Sequence, residues 1–175
     1  MRLDTFALRK PAALLGLTLV AIHLVLALFS PWIAPFDPTE LVGGRVDPPG
    51  GEYLLGTDAL GRDYLSRLLH GGRMALLVTF TGVIVAVVAG SLAGIAAAWF
   101  GGALDDVLMR LCDVKLALPG ILFVSLFITG FGESLGVLVS LIGLVYFPGV
   151  IRIVRAQALT QVNLGYVKAA QLRGE

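Results

Sequence analysis

The sequence predicts an all-α integral membrane protein, and three observations carry that reading. Hydrophobic residues fill 57% of the 175 positions and charged residues only 14%, against about 25% charged in an ordinary soluble domain. The mean hydropathy is +0.90, which leaves too little polar surface to keep the chain dispersed in water. The apolar residues fall in four continuous stretches, 12–34, 75–100, 116–131 and 135–151, none alternating as barrel strands do. A helix rises about 1.5 Å per residue, so about 20 residues cross the hydrocarbon core. The first two stretches are long enough outright; the third and fourth borrow flanking residues. Four transmembrane helices are expected, with a further amphipathic helix on the extracytoplasmic side.

The N-terminal region, 1–73, comprises a cytoplasmic tail, the first span and one large polar loop. Arg2, Arg9 and Lys10 precede an apolar run from Ala12 to Phe29, longer than the usual 7–15 residues or so of a signal peptide. Ser30-Pro31-Trp32 follows where a cleavage site would need small residues, so an uncleaved span is expected. His23 lies near its middle. An ionisable group at that depth hints at function, but a neutral imidazole hydrogen-bonded to a neighbouring helix is the plainer expectation. Trp32 suits an interfacial anchor.

Orientation follows the basic residues. With the N-terminus inside, the inner segments hold Arg2, Arg9, Lys10, Arg110, Lys115, Arg152, Arg155, Lys168 and Arg173. The outer segments hold Arg45, Arg62, Arg67 and Arg73, amid Asp37, Glu40, Asp47, Glu52, Asp58, Asp63 and Glu133. Both termini of this four-span chain are therefore expected on the cytoplasmic side.

In the loop 35–73, four prolines and Gly50-Gly51 predict irregular backbone at first. Thr57 or Asp58 then caps an expected helix whose Leu60, Tyr64, Leu65, Leu68 and Leu69 share a face. Gly71-Gly72 is expected to end it.

The second region, 74–175, opens on helix 75–100. Gly82, Ala86, Gly90, Gly94 and Ala98 recur every four residues and predict a smooth stripe for close helix packing. An inner connection, 101–118, carries Asp105, Asp106, Arg110 and Asp113, read as a solvated or interfacial charged face rather than a catalytic carboxylate pair. Pro119 opens the third span at 116–131, where a missing N–H does little harm. Residues 130–134 turn into the fourth span, 135–151, where Pro148-Gly149 predicts a kink or early end. The segment 152–175 is basic and helix-permissive.

Catalytic and cofactor motifs are missing from this pattern. Gly56 and Gly61 have phosphate-loop spacing, but Arg62-Asp63 stands where Lys-Ser/Thr is required. Ser66 and His70 share a helix face without a third partner, which is read as coincidence of spacing. Two histidines and one cysteine, far apart, make no metal-ligand cluster. A net charge of +1 without a basic run gives no reason to expect nucleic acid. No catalytic residue, cofactor or metal is expected.

The run Leu55-Gly-Thr-Asp-Ala-Leu-Gly-Arg-Asp-Tyr-Leu-Ser-Arg-Leu-Leu69, with Gly71-Gly-Arg73 before a span, resembles the entry segment of C-type permease subunits of dipeptide, oligopeptide and nickel-type ABC importers. Val107 to Asp113 with Pro119, Tyr146-x-Pro148-Gly149 and Arg152-x-x-Arg155 resemble later parts of the same permeases. Tyr166-Val-Lys-Ala-Ala-x-x-x-Gly174 is similar to the opening of their EAA signature, with Lys168 where the family usually has Glu.

The resemblance implies a type-1 ABC importer permease fold in the bacterial or archaeal inner membrane. Its implied partners are a second permease subunit, ATP-binding cassette subunits and an extracytoplasmic substrate-binding protein. It implies that Tyr166, Lys168, Ala169, Ala170 and Gly174 couple the chain to the ATPase, and that Gly56, Thr57, Asp58, Gly61, Arg62 and Asp63 form a periplasmic motif. The family carries two more spans after the EAA loop, so the fold is expected to be incomplete at Glu175, and this chain is not expected to transport alone. The competing readings are a small membrane enzyme using Asp58, Arg62, Asp63 and His70, and a non-transporting assembly factor.

Overall fold

Why the chain is helical follows from its solvent: in lipid, a backbone without water must satisfy its own polar groups. The structure, a computed structural model, describes residues 10–167 and 173. Among these, the helices are α1 (Pro11–Ile33), α2 (Tyr64–Phe100), α3 (Gly102–Ala117), α4 (Gly120–Phe131) and α5 (Leu135–Val162). Gly50–Tyr53 and Thr57–Asp63 form isolated β-bridges. Helices α1, α2 and α5 are long and apolar enough to cross a membrane, and the bent pair α3–α4 raises the number to four if it counts as one span. The chain divides into two compact units, Met1–Leu77 and Val78–Glu175, with the boundary inside α2.

In the first unit, Pro11 opens α1 where its missing N–H is no loss. Pro31 sits in the last turn, and the Ala34 N–H closes the helix on the Ser30 carbonyl at 2.9 Å. Ala27 and Ser30 are buried, while leucines and valines around the rest of α1 face outward, as suits a lipid-facing helix.

The expected amphipathic helix, starting near Thr57 and ending at Gly71-Gly72, does not form as a separate element. Residues 57–63 make a turn closed by the Thr57–Asp63 bridge, and α2 runs unbroken for 37 residues from Tyr64. Each glycine costs about 1 kcal/mol against alanine in a helix. That is too little to stop a helix whose backbone has no other partner once it enters lipid. A Cβ at Gly72 would lie 3.7 Å from His23 Cε1, at ordinary contact distance, so α2 passes beside α1 here. Among the described residues His23 has no hydrogen-bond partner, contrary to the expected interhelical bond. Its ring lines a cavity of about 460 Å³ with Ala27, Leu69, Gly72 and Ala75.

In the second unit, Gly101 and Gly102 turn the chain between α2 and α3 with φ of +58° and +53°, angles glycine adopts without a Cβ clash. The helix then breaks at Leu118–Pro119, and α3 and α4 meet at 97°. Pro119 drives Leu118 out of the helical region, to φ −80° and ψ 128°. Helix α4 has 12 residues, about 18 Å at 1.5 Å per residue, so this part of the chain is a broken span or a re-entrant loop rather than a straight crossing. Its Phe123, Phe127 and Phe131 stack one turn apart, with centroids 5.9 and 4.8 Å apart. Ser134 caps α5 by accepting the Val137 N–H at 3.4 Å. Pro148 does not end α5, which continues to Val162.

Candidate functional site

The motif from Gly56 to Asp63 is built from backbone conformations that only certain residues allow. Gly56 and Gly61 have φ of +77° and +83°, and a Cβ on either would sit 2.4 Å from a carbonyl oxygen, that of Asp47 or of Gly43. The Gly61 carbonyl in turn accepts the N–H groups of Val42 and Gly43 at 2.9 and 3.0 Å. Thr57 is buried. Its Oγ1 donates to the Gly44 carbonyl at 2.7 Å and accepts the Asp47 N–H at 2.8 Å. The irregular loop is thus stitched to the start of α2 through this motif.

The charged residues of the motif continue the stitching. Asp58 Oδ1 accepts the N–H groups of Leu60 and Arg62 at 2.8 and 3.1 Å, and Oδ2 accepts Arg62 Nε at 2.9 Å and pairs with Arg67. Burial pushes the Asp58 carboxyl up, but the backbone N–H groups of Arg62 and Leu60, then the Arg62 guanidinium, together hold it well below the usual carboxylate range. Asp63 is 1% exposed and caps α2, its Oδ2 accepting the Ser66 N–H at 2.7 Å.

Ser66 and His70 do not form a nucleophile–base pair. Ser66 Oγ accepts the Phe36 N–H at 3.1 Å, and His70 Nδ1 lies 3.0 Å from the Ser66 backbone carbonyl. Asp58, Arg62, Asp63 and His70, the residues of the enzyme reading, are each engaged in holding the loop or the helix start.

In the second unit the small-residue stripe of α2 meets α5. A Cβ at Gly82 would fall 2.7 Å from Ile142 Cβ, and one at Gly90 2.8 Å from Val150 Cγ1. At Gly94 it would fall 2.8 Å from the Ile151 carbonyl and 3.1 Å from the Arg155 backbone nitrogen. Ala86 and Ala98 are buried along the same face. From α5, Gly143 answers with a Cβ position 3.3 Å from Val85 Cγ1.

The charged residues of 101–118, read as a solvated or interfacial face, lie at an interface and make a set of interhelical ties. Asp105 binds Arg155 of α5 through both carboxylate oxygens, and Asp113 pairs with Arg152. The Asp105 and Arg155 side chains are only 16% and 29% exposed. Lys115 Nζ donates to the Val145 carbonyl at 2.9 Å and lies 5.7 Å from the Phe123 ring centroid. Arg152 and Arg155 stand out in the sequence, but their partners are 39 and 50 residues away, beyond any local pattern. Of the expected coupling residues, Tyr166 is exposed in a short helical turn after Leu164. Lys168, Ala169, Ala170 and Gly174 lie outside the described residues.

Comparison with known proteins decides the family. Residues 86–175 match the binding-protein-dependent transport system inner membrane component family. The chain belongs to that family. Residues 8–49 also match the N-terminal transmembrane domain of oligopeptide transport permease C. The chain is 39% identical over 178 residues to the di/tripeptide transport system permease protein DppC of Pseudomonas aeruginosa, covering 98% of this chain and 58% of that relative. It is 39% identical over 173 residues to the dipeptide transport system permease protein DppC of Escherichia coli K12, covering 95% of this chain and 58% of the relative. Against DppC of Haemophilus influenzae the identity is 35% over 169 residues, covering 93% and 57%. The chain spans somewhat over half the length of these relatives. As a member of a transport permease family with helices apolar enough to cross a membrane, it is an inner membrane component in class.

Proposed function

We propose that this chain serves as permease in an ABC importer that moves peptides or a similar small solute across the bacterial inner membrane. The observation that carries the reading is the joint match to the permease family and to dipeptide permeases along nearly the whole chain. In this reading a second permease subunit completes the path, separate ATP-binding cassette subunits supply the energy, and an extracytoplasmic binding protein delivers substrate. The chain itself performs no chemistry. Region 1–73 is the N-terminal region and 74–175 the first part of the type-1 transmembrane domain, with the N-terminus cytoplasmic.

The parts take roles accordingly. The motif Gly56–Asp63 holds the loop 35–63 as a firm outer surface for the binding protein and partner permease. The stripe on α2 locks α2 to α5. The segment from Tyr166 through Lys168, Ala169 and Ala170 to Gly174 engages the ATPase, the small alanines permitting close approach. Alternating access follows when that engagement shifts the packed helices. The test is uptake of a labelled dipeptide into proteoliposomes holding the chain with its partner subunits and internal ATP. Uptake that requires both ATP and the binding protein is expected. Uptake independent of either, or its absence in a fully assembled complex, contradicts the proposal.

A further inference from the structure

Helix α5 carries a built-in weak point. Pro148 has no N–H to donate, so one backbone bond of the helix is missing there, and prolines inside helices are the usual sites of bending. The three polar ties from α3 fall on both sides of this point. Lys115 holds the Val145 carbonyl, before Pro148; Asp113 holds Arg152 and Asp105 holds Arg155, after it. The contacts advance along α3 from 105 to 115 and retreat along α5 from 155 to 145, as in an antiparallel pair. They therefore cover about 15 Å of helix centred close to the proline. The tie farthest beyond it is two-pronged and largely shielded from solvent, the geometry in which an arginine–carboxylate pair is most directional.

At its other end α3 stops at the 97° elbow made by Leu118 and Pro119, where Lys115 also lies over Phe123 of α4. A helix that braces one proline thus ends on another. We propose that α3 is a splint: Asp105, Asp113 and Lys115 are positioning residues that keep α5 from bending at Pro148. Displacement of the segment after Val162 then reaches the α3–α4 elbow instead of being absorbed within α5. This role in transport rests on the permease reading above; the bracing itself does not.

The test uses the chain assembled with its partner subunits in liposomes. Spin labels go on Leu135→Cys and Ile153→Cys, one on each side of Pro148, in a Cys112→Ala background. A narrow label-to-label distance distribution is expected with α3 intact. Asp105→Asn with Asp113→Asn should broaden it, Lys115→Met should broaden it less, and the exchange Asp105→Arg with Arg155→Asp should narrow it again. In parallel, uptake per ATP hydrolysed should fall about five-fold or more in the Asn double variant, as loss of a coupling free energy at the low end of the usual range requires, and recover in the exchange. A distribution equally narrow in the Asn double and Lys115→Met variants overturns the splint. A broadened distribution with unchanged uptake per ATP overturns its role in transport. If the parent complex hydrolyses ATP without uptake, the permease reading fails, and the distance measurement alone decides the bracing.

Discussion

Glycine does two different jobs in the two units of this molecule. In the loop before α2, Gly56 and Gly61 are required by conformation: both have positive φ, and both lie against a carbonyl oxygen. In the α2 stripe, Gly82, Gly90 and Gly94 have ordinary helical backbone and are required only by the nearness of α5. The loop is accordingly held by directional polar bonds from Thr57, Asp58, Asp63 and Ser66. The α2–α5 seam is held by surface fit, as expected where lipid provides little hydrophobic drive for one helix to prefer another. The same residue type therefore marks a shaped surface in one unit and a seam in the other.

The largest effect expected from breaking this contrast is in the loop. Gly61→Ala should cost about 1–2 kcal/mol for the left-handed backbone and a further 1–3 kcal/mol or so for overpacking against Gly43. Rapid proteolysis of the loop 35–63 in intact membranes is the measurement. Gly94→Ala comes next, at about 1–3 kcal/mol, because its Cβ meets backbone atoms of α5 that cannot rotate away. Thermal unfolding in detergent reads it. Gly149→Ala sharpens the point: nothing lies within 4 Å of a Cβ there, so alanine should be neutral or stabilise by up to about 1 kcal/mol. Equal losses at 94 and 149 would contradict the seam.

Thr57→Val removes the hydroxyl that serves both Gly44 and Asp47. A cost of about 1–3 kcal/mol is expected for the polar groups left unpaired, seen as faster amide exchange at Asp47. The smallest effect is one of pH. The Asp58 carboxyl is held below its ordinary 3.8 in the folded loop. Its contribution is thus complete above that value and is lost as pH falls toward the depressed one. Amide exchange at Leu60 and Arg62, corrected for intrinsic rates, should stay constant down to about pH 5 and quicken below about pH 4. Asp58→Asn should abolish the step.

Much of this architecture was legible in the sequence because lipid imposes simple rules. Runs of about 20 apolar residues or more announce α1 and α2, the shorter run 135–151 with its flanks announces α5, and a four-residue period announces the stripe that meets Ile142, Val150 and Ile151. The misses have physical causes. Gly71-Gly72 reads as a helix end by local propensity, yet continuity into the membrane overrides it. Pro119 does open the next helix, α4, but the restriction on the pre-proline residue also sets an elbow before it that was not read. The partners of Asp105 and Asp113 were not legible, because those arginines come from a helix far along the chain. The loop motif was visible as a pattern, whereas the work of each residue in it depends on Gly43, Gly44 and Asp47 across a turn.

The most direct test of the account is the company this chain keeps. The chain, tagged at its N-terminus, would be extracted gently from its native membrane and its co-purifying subunits identified by mass. The account predicts a second permease and ATP-binding subunits in the complex, with the ATPases lost on Ala169→Trp and Ala170→Trp while the permease partner remains. A complex without any ATP-binding subunit would contradict it.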